Sequence, residues 1–256
     1  MSERSFHRLA EVVADHLRAR ILSGELEDGS LLPKEEELRE FYPVSKPTFR
    51  ESMRILESEG LISVRRGNVG GAIVHRPTAR HLAYTLGLVL ASEQVTIDEV
   101  ALALRQIEPA CAAMCAGRKD RARTVVPELR RLQKHFEDSI EDLVAVVGWS
   151  REFHEALVRL CGNRPMMVMA SALERMWSAH ERGWASHIAE SDPVRMEERV
   201  AAGRVHATMI DMIAAGDAEG VSRIAAEHLA HAQRTPKPKD GRRVIDPALL
   251  RLIQPD

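Results

Sequence analysis

Residues 44–60 read VSKPTFRESMRILESEG, with LPKEEELREFYP before them at 32–43 and LISVRRGNVGGAIV after them at 61–74. Ser45 is placed to cap a helix in which Phe49, Met53 and Leu56 recur three or four residues apart, forming one apolar stripe. The opposite face carries Lys46, Arg50 and Arg54, which is what a helix laid against DNA presents. The segment before it is expected as a short helix with Leu38 and Phe41 inward, broken at Tyr42-Pro43 because the residue ahead of a proline avoids helical geometry. The segment after it is expected as a two-stranded ribbon with Arg65-Arg66-Gly67-Asn68 at its tip. Helix, tight turn, second helix and ribbon make a winged helix-turn-helix.

The run from SGELEDGSLLPKEEEL to VSKPTFRESMRILESEGLISVRRGN also resembles the DNA-binding module of GntR-type bacterial transcription regulators. Their pattern, I-x-S-G-x-L-x-x-G-x-x-L-P-x-E-x-x-L, then V-S-R-x-T-x-R-E-A and L-x-x-x-G-L-I, is met by Ile21, Gly24, Leu26, Gly29, Leu32, Pro33, Glu35, Leu38, Val44, Ser45, Thr48, Arg50, Glu51, Gly60 and Leu61. The resemblance implies a DNA surface made of Lys34, Ser45, Lys46, Thr48, Arg50, Arg54, Arg65, Arg66 and Gly67. Arg50 is the expected reader of a guanine edge, since a guanidinium meets O6 and N7 together. Two positions depart from the pattern: Glu36 stands where an arginine is common, and Pro47 where serine or threonine is. The operator sequence therefore does not transfer from relatives.

At 256 residues the chain has room for two domains. Hydrophobic residues make up 45% but aromatics only 4%, which fits a helical core packed by Leu, Ala and Val better than a sheet sandwich. Three cysteines form no disulfide framework and are expected as buried thiols in a reducing cytosol, with thiol sensing the alternative. The first residues mix Glu, Arg and His, unlike a signal peptide, and the apolar run LAYTLGLVLAS is far short of the ~20 residues of a membrane span. A cytoplasmic protein with no membrane partner is expected. The net charge of −2 argues against a uniformly basic DNA binder. Residues 45–76, however, hold Lys46, Arg50, Arg54, Arg65, Arg66 and Arg76 against Glu51, Glu57 and Glu59, so the positive charge is local.

The expected organisation is a DNA-binding domain at 1–76, an all-helical domain at 77–234, and a Pro-rich basic tail at 235–256 that is disordered or docked on a neighbouring chain. Residues 1–8 are expected to fray, ahead of a first helix at 7–22 with Leu9, Val12, Val13, Leu17 and Ile21 inward. Helical periodicity then places helices near 79–92, 97–117, 119–140, 142–161, 164–189, 193–215 and 217–233. The fold class is mostly α: a winged helix-turn-helix with a small β-wing, then an antiparallel all-α bundle. The bundle resembles the effector domain, of the FCD type, in the FadR branch of the GntR family. LRQIEPACAAMCAGR, REFHEALVRLCGN and AAGDAEGVSRIAAEHL carry that likeness.

His206 lies ten residues before Gly216 and His228 twelve after it. An antiparallel hairpin then sets both ~15–18 Å from the turn, in one layer that His154 can also reach. Three imidazoles converging in a bundle suit a divalent metal such as zinc, nickel or manganese. Metal-binding members of the family use an Asp four residues before the first His; here that position is Ser150, a poor ligand without charge. A three-histidine metal site, a weaker site and a metal-free site in which the histidines bond an anion directly all stay open. The resemblance gives Arg105, His154, His206, His228 and Asn163 as effector contacts, Arg105 meeting a carboxylate. An ion pair of Arg105 with Glu108 or another acid and a capping role for Asn163 are the plainer alternatives, and His180 and His187 are expected at the pocket rim or on the surface. The functional expectation is a homodimeric, ligand-responsive regulator, more often a repressor than an activator, that binds a pseudo-palindromic operator and senses a small carboxylate. The alternatives are a metal-free pocket for a larger ligand such as an acyl-CoA, and a three-histidine metalloenzyme. Against the last, His154-Glu155 lacks the second His of HExxH.

Overall fold

A computed structural model of the chain describes residues 3–65, 71–188, 195–232 and 244–246, with backbone alone for 3–7 and 181–188. They fall into two compact units, Met1–Thr78 and Ala79–Asp256.

The first unit holds α1 (Glu3–Ser23), α2 (Glu35–Phe41), α3 (Lys46–Ser58), β1 (Ile62–Arg65) and β2 (Gly71–Val74). Ser45 caps α3 as expected, its side chain accepting from Thr48 N at 3.3 Å. Pro47 sits in the first turn, where its missing N–H leaves no gap in the helix ladder. Gly60, at φ +71°, turns the chain into β1, and β1 and β2 pair antiparallel from Ile62↔Val74 to Arg65↔Gly71. Leu17, Ile21, Leu38, Phe49, Leu56 and Val74 form the shared core.

Three expectations for this unit are corrected. The helix expected from residue 7 begins at Glu3, inside the segment expected to fray. Leu9 and Val12 are 40% and 59% exposed, because the buried stripe of α1 runs through Ala10, Val13, Ala14, Leu17 and Ile21 and passes both by. Phe41 is 79% exposed, since a helix of seven residues turns only Leu38 inward and Tyr42 packs over the core next to it.

The second unit holds α4 (Ala79–Ser92), α5 (Ile97–Gly117), α6 (Arg121–Thr124), α7 (Val126–Asp138), α8 (Leu143–Leu160), α9 (Arg164–Ile188), α10 (Met196–Ala215) and α11 (Ala218–Ala232). α5 is the central rod, started by a reciprocal cap between Thr96 and Glu99, and α8, α9, α10 and α11 all pack on it. The single helix expected at 119–140 is two, α6 and α7. Pro127 offers no N–H to the carbonyl of Arg123, and two residues on Leu129 N bonds to Val125 O at 3.1 Å. α10 ends on Gly216 at φ +83°, the left-handed turn that folds α11 back along it.

The tail is corrected at Val244–Asp246, which docks on this unit. Val244 bridges to Thr96, Ile245 N donates to Val95 O at 3.0 Å, and the Ile245 side chain is 1% exposed among Ala83, Leu104 and Met176. Asp246 N donates to Nε2 of His180 at 3.2 Å, so His180 anchors the tail. The rest of the tail and the side chain of His187 lie outside the described residues. Ile245→Asp should lower stability by about 2 kcal/mol, on the order of 5 °C in Tm, by placing a charge in that apolar slot. An unchanged thermal melt would mean that the slot does not hold the tail.

Candidate DNA-reading face and three-histidine centre

On the first unit Lys34, Ser45, Lys46, Arg50, Arg54 and Arg65 are all exposed, and Lys46, Arg50 and Arg54 share the face of α3 opposite Phe49 and Leu56. Arg54 lies 3.4 Å from Glu51 with its side chain 78% exposed, a contact too open to hold it back from a phosphate. Thr48 is corrected as a DNA contact. It is 1% exposed and its hydroxyl lies 2.7 Å from that of Ser45, so it holds the helix start together from within. Arg66 and Gly67 lie outside the described residues. The exposed Glu36 on α2 adds a negative charge to this unit.

In the second unit the hairpin of α10 and α11 brings His206 and His228 together, Nε2 to Nε2 at 3.2 Å. His154 of α8 joins them, its ring 5.4 Å from that of His206 and 5.3 Å from that of His228, parallel to the latter. One nitrogen from each of the three lies within 4.8 Å of the others. Phe153 stacks on His206 at 4.2 Å and Phe136 meets its edge at 5.2 Å, closing the centre on that side. Gly203, one turn before His206, makes room for this: a Cβ there would stand 2.9 Å from the ring of Phe136.

Glu108 of α5 completes the group, its Oε2 3.0 Å from His154 Nδ1. It is 4% exposed, whereas Arg105, one turn earlier on the same face of α5, is half-buried. Asn163 takes the capping role: its Oδ1 accepts from Met166 N at 3.2 Å at the start of α9. Ser150 is half-buried one turn before His154. Glu174 of α9, which carried no signal in the sequence, is 7% exposed with its Oε1 unpaired, and burial together with the charge of Glu108 pushes its carboxyl up to about 9. A cleft of about 330 Å³ on α8 and α9, lined by Glu152, Glu155, Arg159 and Arg175, does not include the histidines.

Burial, then the neighbouring His154, holds His206 well below the ordinary 6.5 and pushes His228 down to about 3. Both rings are uncharged at neutral pH and keep a lone pair for a cation. With the buried, unpaired Nδ1 of His206, the donor set fits a divalent ion such as zinc. The cysteines are poorer candidates, since burial pushes the Cys115 thiol up to about 12 and that of Cys111 higher still, away from the reactive thiolate. In metal-free protein the unfolded chain binds a proton at His228 below 6.5 and the native fold does not until about 3. The stability held above 6.5 is therefore lost as the pH falls through that window, at up to ~1.4 kcal/mol per unit. The stability difference between wild type and His228→Asn should shrink accordingly between pH 6.5 and 4.5 in chelator-treated samples. A constant difference would mean that His228 is not held neutral.

Comparisons with known proteins agree with this architecture. The profile described as "Bacterial regulatory proteins, gntR family" matches residues 9–70, and that of the FCD domain matches residues 99–231, more than half of the chain. The HTH-type transcriptional repressor NanR of Cronobacter sakazakii is 26% identical over 229 residues, spanning 87% of this chain and 83% of that protein. NanR of Klebsiella aerogenes is 38% identical over 72 residues, 28% of this chain and 27% of that protein. Among solved structures, Streptococcus agalactiae GntR shares the fold with a TM-score of 0.59 at 21% identity, over 88% of this chain and 100% of that one. No described helix is long and apolar enough to cross a membrane. The chain belongs to the GntR family of bacterial transcription regulators, with an FCD domain behind its winged helix, and is a regulator rather than an enzyme.

Proposed function

We propose that the chain is a ligand-responsive repressor of the FadR branch that releases its operator when a small carboxylate binds the histidine centre of the FCD domain. The observation that carries this reading is the convergence of three imidazoles in one layer, two of them held uncharged by burial. His154, His206 and His228 would hold a divalent ion there, and such an ion supplies a Lewis-acid anchor for an anionic effector. Ser150, in the place of an acid, leaves the ion's charge uncancelled by its ligands and a position open for the effector carboxylate. Arg105, half-buried on the same face of α5 as Glu108, is the second cation offered to that effector. Repression is the favoured sense because the NanR relatives are named repressors.

On the DNA side, a homodimer would present two copies of α3 to half-sites about one helical turn apart, so the operator is a pseudo-palindrome. Lys34, Ser45, Lys46, Arg54 and Arg65 position the module on phosphates, and Arg50 reads a base edge. The effector acts only through a difference in affinity between the operator-competent and operator-incompetent arrangements of the dimer.

Two experiments test the two halves. Protein purified without chelator or a metal-affinity tag should hold about one zinc, nickel or manganese ion per chain by elemental mass spectrometry, and His206→Ala should lose it; equal metal in both would sink the three-histidine centre. Arg50→Ala should weaken operator binding by ~1–3 kcal/mol and flatten the preference among operator variants in fluorescence anisotropy. An unchanged preference would remove Arg50 as the base reader.

A further inference from the structure

We infer that Glu108 is the positioning carboxylate of the histidine centre, fixing the ring of His154 and supplying from behind it the negative charge that Ser150 does not provide. This rests on the reading of His154, His206 and His228 as ligands of a divalent ion.

A carboxylate can only accept, so the 3.0 Å contact between Glu108 Oε2 and His154 Nδ1 puts the imidazole proton on Nδ1. Nε2 is then the nitrogen with a lone pair, and the ring cannot rotate to offer the other one without breaking that bond. Metal-bound histidines are commonly oriented this way, with the far nitrogen donating to a carboxylate that also raises the basicity of the ring. The bond links α5 to α8, so the ring is held from the central rod of the bundle.

Charge points the same way. Glu108 is 4% exposed, and among the described residues the hydrogen bond it makes is to an imidazole. A divalent ion on the far side of that ring is strong compensation for a buried carboxylate. Glu174 does not compete for the role, since it is held protonated beside Glu108. Ser150, one turn before His154 on α8, brings a hydroxyl and no charge. The centre therefore trades a charged ligand in direct contact for a charged group one bond further out. That arrangement keeps one negative charge near the ion without filling a coordination position.

The test is titration of cobalt(II) into chelator-treated full-length protein, followed by visible absorption, for wild type, Glu108→Gln, Glu108→Asp and the double variant Glu108→Gln/Ser150→Asp. Glu152→Gln, an exposed acid on α8 between Ser150 and His154, serves as the control for general loss of charge. Glu108→Gln should bind 10–100-fold more weakly than wild type, and Glu108→Asp should fall between them. The double variant should recover the affinity, because an acid at 150 restores the missing charge, and Glu152→Gln should match wild type. A role for Glu108 in folding alone would instead lower the thermal melt and would not be rescued by Ser150→Asp; that result overturns the inference. Wild-type affinity in Glu108→Gln overturns it too, while leaving the three-histidine reading intact. Absence of binding by wild type overturns both.

Discussion

His206 and His228 can share one buried layer only while they remain uncharged, and much of the FCD domain is arranged around that constraint. His206 is fully buried between Phe153 and Phe136, where water cannot solvate a proton on its ring. His228 meets it from the next helix, Nε2 to Nε2 at 3.2 Å, so the two rings cannot both carry a charge without repelling one another. The same burial that costs protonation leaves unshared lone pairs converging on one point. A proton is excluded there and a soft-to-borderline divalent ion is suited to it.

Holding that layer requires close approach of the helices. Gly216 turns α10 onto α11 so that residues a similar distance from the turn meet, and Gly203 lets Phe136 close over His206. α5 runs through the middle and contributes Glu108, which ties His154 to the rod against which α8, α9, α10 and α11 pack. This layer is built from the helices that form the body of the domain rather than from a peripheral loop.

The DNA module solves a different problem with few charges. Its net contribution to the protein's charge is small, yet Lys46, Arg50 and Arg54 stand together on one exposed face because the other face of α3 is consumed by Phe49, Leu56 and the buried Thr48. Non-specific affinity from so few cations is modest, and it falls with salt in proportion to the number of phosphates they meet. Discrimination then falls on the few side chains that reach base edges.

The sequence by itself determined the winged helix, the helical bundle and the pairing of His206 with His228. Each follows from a repeat distance: the apolar period of α3, the breakers between helices, and equal spacing from Gly216. Local spacing also placed the cap at Ser45. Only the tertiary structure decided what lies across from what. Glu108 and Glu174 face the histidine layer from helices distant in sequence, and no local period announces such a meeting. Phe41 was misjudged because two turns of helix carry too little periodicity to fix an inward face. The tail looked unstructured because Ile245 is an isolated apolar residue, and a single side chain finds its slot through shape, which the pattern of a sequence does not encode.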